Sequence, residues 1–216
     1  MVSKSKSLNP TKNLVDAVRS ARKLIDERAL AHALITGKCE LLVRDLLAAQ
    51  IDMTDARNEK IYSAREWRKH DLSIFQENEL EVVVEGKAWI HADMLAERKL
   101  NSGKKSVWAS MKKDLLKLQK TKKEFGSINT YLSTLLVTCD ASNRDFVSVN
   151  PVKYDQKHQA AIRRYGNSDE VRRAGNRAFM SLVDSKLPSS TCHEIEFLDL
   201  NYRNIQVKAD FFLIEL

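Results

Sequence analysis

Asp71, Glu85 and Lys87 are the residues whose types and spacing can do chemistry together. Two carboxylates are hard oxygen ligands for a cation such as Mg2+. A bound Mg2+ neutralises phosphate charge and acidifies a coordinated water. A lysine two residues beyond the second carboxylate projects to the same side of a strand. There it can orient the attacking water or stabilise charge building on phosphorus. The main-chain carbonyl of Gly86, between the two, is a further candidate metal ligand.

That chemistry needs a particular set of elements. Residues 80–90 (LEVVVEGKAWI) form the clearest strand pattern in the chain. Leu80, Val82 and Val84 share one face, and Val83, Glu85, Lys87 and Trp89 share the other. Apolar residues on both faces mark a strand covered on both sides. Charges placed there need partners or a metal. Asp71 opens a strand candidate at 71–75, and the polar step at 76–79 predicts a hairpin that folds Asp71 back beside Glu85.

The tripeptide itself carries little information. Asp/Glu-x-Lys occurs at 85–87, 97–99, 155–157 and 184–186, and only the first lies in a strand-like run with an Asp-led strand upstream. The competing reading of Glu85 and Lys87 is a surface ion pair on an edge strand, worth little energetically. Glu40, in the first turn of a predicted helix, also has two readings. It is either a further catalytic carboxylate or an exposed residue paired with Arg44 at i+4.

Asp71, thirteen intervening residues, then Glu85-Gly86-Lys87 resembles the signature of the PD-(D/E)XK nuclease superfamily, the restriction endonuclease-like group that also includes repair nucleases and junction resolvases. His70 stands where the signature has its proline. The resemblance spans roughly residues 36–140. It implies a mixed sheet whose hairpin carries the catalytic residues, with a helix on each side and a Glu on the preceding helix, which Glu40 matches. It implies Mg2+, replaceable by Mn2+, held by Asp71, Glu85 and Gly86. It further implies endonucleolytic cleavage of DNA, with RNA as the alternative polymer, by a homodimer with a restriction or defence role.

Charge patterning is compatible with a polyanionic partner. The chain carries 36 Lys and Arg against 29 Asp and Glu, a net charge of +7. Residues 98–123 hold ten Lys or Arg and a single acid, Asp114. Lys104, Lys105, Lys112, Lys113 and Lys117 are the candidate phosphate contacts there. Arg163, Arg164, Arg172 and Arg173 form a second cluster, diluted by Asp169 and Glu170. A solvated helix face is the alternative for both. A non-catalytic nucleic-acid-binding module on these same surfaces is therefore the second functional reading, and a helix-rich interaction protein the third.

Other classes find no support. There is no P-loop, GxGxxG or GxSxG. The five histidines show no metal-ligand spacing, and Trp67, Trp89 and Trp108 read as core residues. Cys39, Cys139 and Cys192 are few, scattered and odd in number, which fits a reducing, cytoplasmic setting. No run of apolar residues is long enough to span a bilayer.

The remaining elements follow from pattern. A basic tail at 1–8 precedes one long amphipathic helix from an Asn9-Pro10 start to about residue 34, and a second helix follows Thr36. Residues 52–60 read as a loop and 61–67 as a strand. Helix is expected at 104–123, strand at 130–139, helix over most of 155–186, and two closing strands near 193–200 and 204–215. The expected architecture is α/β: a single domain with a mixed central sheet flanked by helices. It comprises an N-terminal helical segment (1–35), a catalytic core (36–140) and C-terminal elements completing it (141–216).

Overall fold

The computed structural model describes residues 10–37, 39–54, 60–101, 103–142 and 152–216. The basic tail, the Asn9 cap and most of the 52–60 loop lie outside the described residues. The expected α/β class is the one observed, with six strands among the described residues in one mixed sheet ordered β1-β2-β3-β4-β6-β5.

The N-terminal helix does not run unbroken. It divides into α1 (Pro10–Ala21) and α2 (Glu27–Thr36), joined by a 3-10 turn. The cause is local. Ile25 is extended, and the Asp26 carboxylate accepts the Arg28 and Ala29 N–H groups at 3.0 Å each, so a fresh helix starts there. Helix α3 (Cys39–Thr54) follows. Strands β1 (Ile61–Arg65), β2 (Leu72–Gln76) and β3 (Glu79–Ile90) form an antiparallel meander. The β2–β3 turn falls on Glu77 and Asn78, both at positive φ, the backbone of a tight two-residue hairpin.

Two short helices, α4 (His91–Met94) and α5 (Glu97–Leu100), lead into α6 (Val107–Phe125). Ser106 caps α6 by accepting from the Ala109 N–H, which sets its start later than the pattern suggests. Strand β4 (Asn129–Asp140) pairs parallel to β3. The predicted 155–186 helix is two helices, α7 (Asp155–Tyr165) and α8 (Ser168–Lys186), separated at Gly166 and capped anew by Asn167. The closing hairpin is β5 (Thr191–Tyr202) and β6 (Ile205–Glu215), with β6 inserted between β4 and β5. The C-terminal strands thus extend the same sheet as the meander.

Each face of the sheet has its own core. Leu14, Leu30, Val43 and Leu47 of α1–α3 pack with Val82, Val84, Leu135 and Phe211. Met111 and Leu118 of α6 and Phe179 of α8 pack with Val83, Leu132, Leu136 and Phe212 on the other face. Burial of each such side chain contributes about 1.5–3 kcal/mol. No helix among the described residues is long and apolar enough to cross a membrane.

A polar clasp fixes α4 and α8 to β6. Asp210 is 1% exposed, and its carboxylate accepts from Arg172 at 2.6 and 2.7 Å and from Asn176 at 3.0 Å, with the His91 ring 3.2 Å away. Burial alone would raise the Asp210 pKa, but these bonds hold it well below the usual carboxylate range. Gly175 permits the close approach, because a Cβ there would lie 2.9 Å from His91 Cβ.

His158 of α7 is 2% exposed, and its Nδ1 accepts the Cys139 N–H at 3.4 Å. Burial, aided by nearby His91, lowers its pKa from 6.5 to about 4. The folded state therefore holds His158 neutral where the unfolded chain would protonate it. This contribution is complete above about pH 6.5 and is lost as pH falls toward 4. At about 1.4 kcal/mol per unit, it is on the order of 3 kcal/mol. Melting temperatures measured from pH 7.5 to 4 should fall for the wild type and fall less steeply for His158→Gln. Parallel curves would show that His158 is not the group responsible.

Candidate functional site

Strand β3 outruns β2. Leu72 pairs with Val84, and beyond that point no strand among the described residues lies beside the flank of β3 facing β2. The chain before β2 turns away through Glu66, Arg68 and Lys69, all at positive φ. Asp71 sits at the divergence. Its Oδ2 accepts the Gly86 N–H at 2.7 Å, so a side chain satisfies a backbone group that the missing strand would have paired. On the other flank Gly86 meets Ser133 of β4, where an added Cβ would lie 3.0 Å from Ser133 Oγ.

Lys87 is the hub of this edge. Its Nζ lies 2.9 Å from the Gly86 carbonyl oxygen, 3.0 Å from Asp114 and 3.7 Å from Glu40. Burial disfavours its charge, but the Asp114 bond and the charges of Asp114, Glu40 and Asp71 outweigh that and raise its pKa. The carboxyls are strained in the opposite sense. Burial raises the pKa of Glu40 and of Asp114, and Lys87 offsets this only in part, while neighbouring carboxylates add to the rise. Glu40, Asp71, Gly86 and Lys87 line one cleft with Arg44 and Ser133.

Glu40 thus faces Lys87, and Arg44 is engaged by Asp45 and Glu66 instead of by Glu40. Asp114 is the residue sequence reasoning passed over. It appeared only as the lone acid of a basic helix, and that isolation was the available signal.

Glu85 departs from expectation. The hairpin brings Asp71 alongside Glu85-Gly86, but the Glu85 carboxylate does not line the cleft. It points toward α6 and is 2% exposed. There it bonds His70 Nδ1 and lies 2.5 Å from Lys117 Nζ. The other ring nitrogen of His70 meets Thr121 Oγ1 at 2.8 Å. A buried carboxylate needs donors, and the residue preceding Asp71 supplies one. The picture of Asp71 and Glu85 jointly facing one ion is corrected accordingly. Among the described residues, no group of three or more His, Cys, Asp or Glu side chains is arranged to hold a metal ion as it stands.

The decoy tripeptides also resolve. Residues 97–99 lie in α5, 155–157 open α7 and 184–186 close α8; only 85–87 lies on a strand. Of the basic candidates, Lys104, Lys105, Lys112, Lys113, Arg163 and Arg164 are exposed. Arg173 is exposed and pairs with Glu170. Lys117 is drawn to Glu85 and also donates to the Lys69 carbonyl. Arg172, expected to offer a cation to phosphate, is instead consumed by the Asp210 clasp and Glu196, because a buried carboxylate holds a guanidinium more firmly than solvent does.

Glu85→Ala would strand a buried imidazole and leave Lys117 without its partner. Urea unfolding should show a loss of about 2–4 kcal/mol. Thr121→Val should cost about 1 kcal/mol, and the double variant should lose less than the sum. Strict additivity would show that Glu85 and Thr121 do not act through His70.

Compared with known proteins, the chain matches no family model, no curated protein and no solved structure.

Proposed function

We propose that this chain is a Mg2+-dependent endonuclease that hydrolyses DNA phosphodiester bonds in the manner of the PD-(D/E)XK enzymes it resembles, with a restriction or defence role. The observation that carries the reading is the convergence of Glu40, Asp114 and the Gly86 carbonyl on the Lys87 ammonium at the open edge of β3, with Asp71 held beside them on the Gly86 N–H. The α3-β1-β2-β3-α4-α5-α6-β4 order supports it, since the hairpin lies between the two helices, α3 and α6, that supply Glu40 and Asp114.

The residues present fit a hard cation. Two carboxylates and a carbonyl lie within 4 Å of the Lys87 ammonium, with Asp71 beside them on the Gly86 N–H. Burial first, and neighbouring carboxylates second, raise the Glu40 and Asp114 pKa values, which a cation held there would lower. Mg2+ needs only one or two carboxylates, with waters and substrate phosphate completing its shell. Asp71 and the Gly86 carbonyl, with Glu40 or Asp114, would hold it; Mn2+ would substitute. Bound there, the ion supplies phosphate neutralisation and an acidified water. Lys87 holds a fixed positive charge toward the phosphate oxygens. Glu85 serves as an anchor that fixes His70, and so the approach of Asp71, and restrains Lys117. Exposed Lys112 and Lys113 supply affinity through phosphate contacts. Two copies would suit cleavage of both strands at a symmetric site.

One observation favours the non-catalytic alternative, a nucleic-acid-binding module: both Glu85 and Lys87 already have charged partners within the protein. Incubating plasmid, linear DNA and RNA with Mg2+ or Mn2+, with and without EDTA, separates the two. Metal-dependent cleavage selects the nuclease; salt-sensitive binding without cleavage selects the module.

In the nuclease, Asp71→Ala should abolish cleavage while DNA affinity survives, and Glu97→Ala, in the decoy tripeptide, should leave cleavage unchanged. The reverse pattern would place the site elsewhere. Because burial raises the pKa values of Glu40 and Asp114, cleavage should begin to fall on acidification at a higher pH than ordinary carboxylates, which titrate near about pH 4, would set. Replacing Lys112 and Lys113 together with Ala should weaken binding and reduce the slope of log affinity against log salt by about two. An unchanged slope would remove that face of α6 from the interface.

A further inference from the structure

Beyond Lys87, β3 continues along a second cleft of about 430 Å³. The two clefts share Glu40, and the second is walled by Trp89 of β3, Lys99 of α5, and Lys153, Tyr154 and Lys157 at the start of α7. Its chemistry differs from that of the first. Among the described residues three lysines face two acids, Glu40 and Asp93, and Asp93 is paired with Lys157 at 2.9 Å.

Aromatic rings are interleaved with these cations. Tyr154 is 51% exposed and is held at φ +62° on a non-glycine residue. Lys153 and Lys157 place their ammonium groups 5.0 and 5.4 Å from its ring centroid. Lys99 lies 4.9 Å from the Trp89 ring, and the Trp89 Nε1–H is buried without a partner among the described residues. An exposed aromatic side chain flanked by lysines is the pattern that recognises unpaired bases. Every base offers a stacking face while the lysines take the adjoining phosphates. Bases in an intact duplex are already stacked and cannot use such a platform.

We propose that this cleft binds a single-stranded polynucleotide segment, with a base stacked on Tyr154 and phosphates on Lys99, Lys153 and Lys157. This rests on the nuclease reading for its consequence. The preferred substrate then carries an unpaired stretch next to the scissile phosphate, as in a flap, gap or overhang, in place of the intact symmetric site of a restriction enzyme, with one strand passing from the Lys87 cleft into this one. A new role follows for two lysines whose tripeptides are catalytic decoys: Lys99 and Lys157 serve binding.

The test is binding in EDTA, where cleavage cannot interfere. Fluorescence anisotropy of labelled 12-nucleotide DNA and RNA single strands, and of the matching duplex, is measured for wild type, Tyr154→Phe, Tyr154→Ala, and Lys153→Ala with Lys157→Ala. Single strands should bind more tightly than duplex. Tyr154→Ala should weaken single-strand binding about tenfold or more, and Tyr154→Phe should restore it. The double lysine variant should weaken binding and flatten its salt dependence. Equal affinities for wild type and Tyr154→Ala, or a preference for duplex, would overturn the proposal. Cleavage of a flapped duplex with Mg2+ is scored separately. Tyr154-dependent binding without any cleavage would sustain the single-strand site and sink the nuclease. Cleavage indifferent to Tyr154 and to the flap would sink the site alone.

Discussion

The backbone of β3 past Val84 has hydrogen-bonding groups and no β2 to meet them, and much of the molecule is arranged around that fact. Unpaired main-chain groups at a sheet edge must be satisfied or hydrated. Here a carboxylate, Asp71, does part of the task at Gly86. The same divergence opens a cleft in which Lys87 can meet groups from α3 and α6 at once. Were β2 to continue alongside Gly86, Asp71 would lie within the sheet and Lys87 would lose access to both helices. The open edge and the candidate chemistry are one feature.

Two buried charge clusters show how such a feature differs from a structural one. Around Asp210 the donors together overcome the burial that opposes them: they surround one carboxylate and its pKa falls. Those donors hold the Asp210 carboxylate from three sides and lock α8 and α4 to the sheet. Around Lys87 burial, with neighbouring carboxylates adding to it, raises the pKa values of Glu40 and Asp114, and the lysine offsets only part of the rise. Acids perturbed in this way, lining a cleft beside a charged partner, are candidates for a functional site. Glu85 belongs to a third kind, a carboxylate satisfied by His70 and Lys117, which couples β3 to α6. Its place in the motif is catalytic in form, while its bonds are those of an anchor.

Most of the architecture was legible in the chain because its causes are local. Two-residue alternation in 80–90, the polar turn after Gln76 and the apolar stripe of α6 report on neighbours a few residues away. The observed strands and helices lie within a few residues of those patterns. Misreadings arose where one residue outweighed a periodic trend. Asp26 caps a new helix and divides what the apolar spacing joined, and Gly166 with Asn167 does the same between α7 and α8.

The site was only half legible, for a physical reason. Sequence by itself determined which strand carries a charged triplet among apolar residues, that Asp71 must return beside it, and that Glu40 opens the preceding helix. Tertiary structure alone decided partners, because a buried charge selects whatever donor or acceptor packing brings within 3–4 Å, however distant along the chain. That selection took Glu85 to His70 and Lys117, Arg172 to Asp210, and Asp114 to Lys87. It also brought Tyr154 and Lys153 beside Trp89, more than sixty residues away. Alternation tells which face a side chain occupies; only the assembled layers tell what waits there.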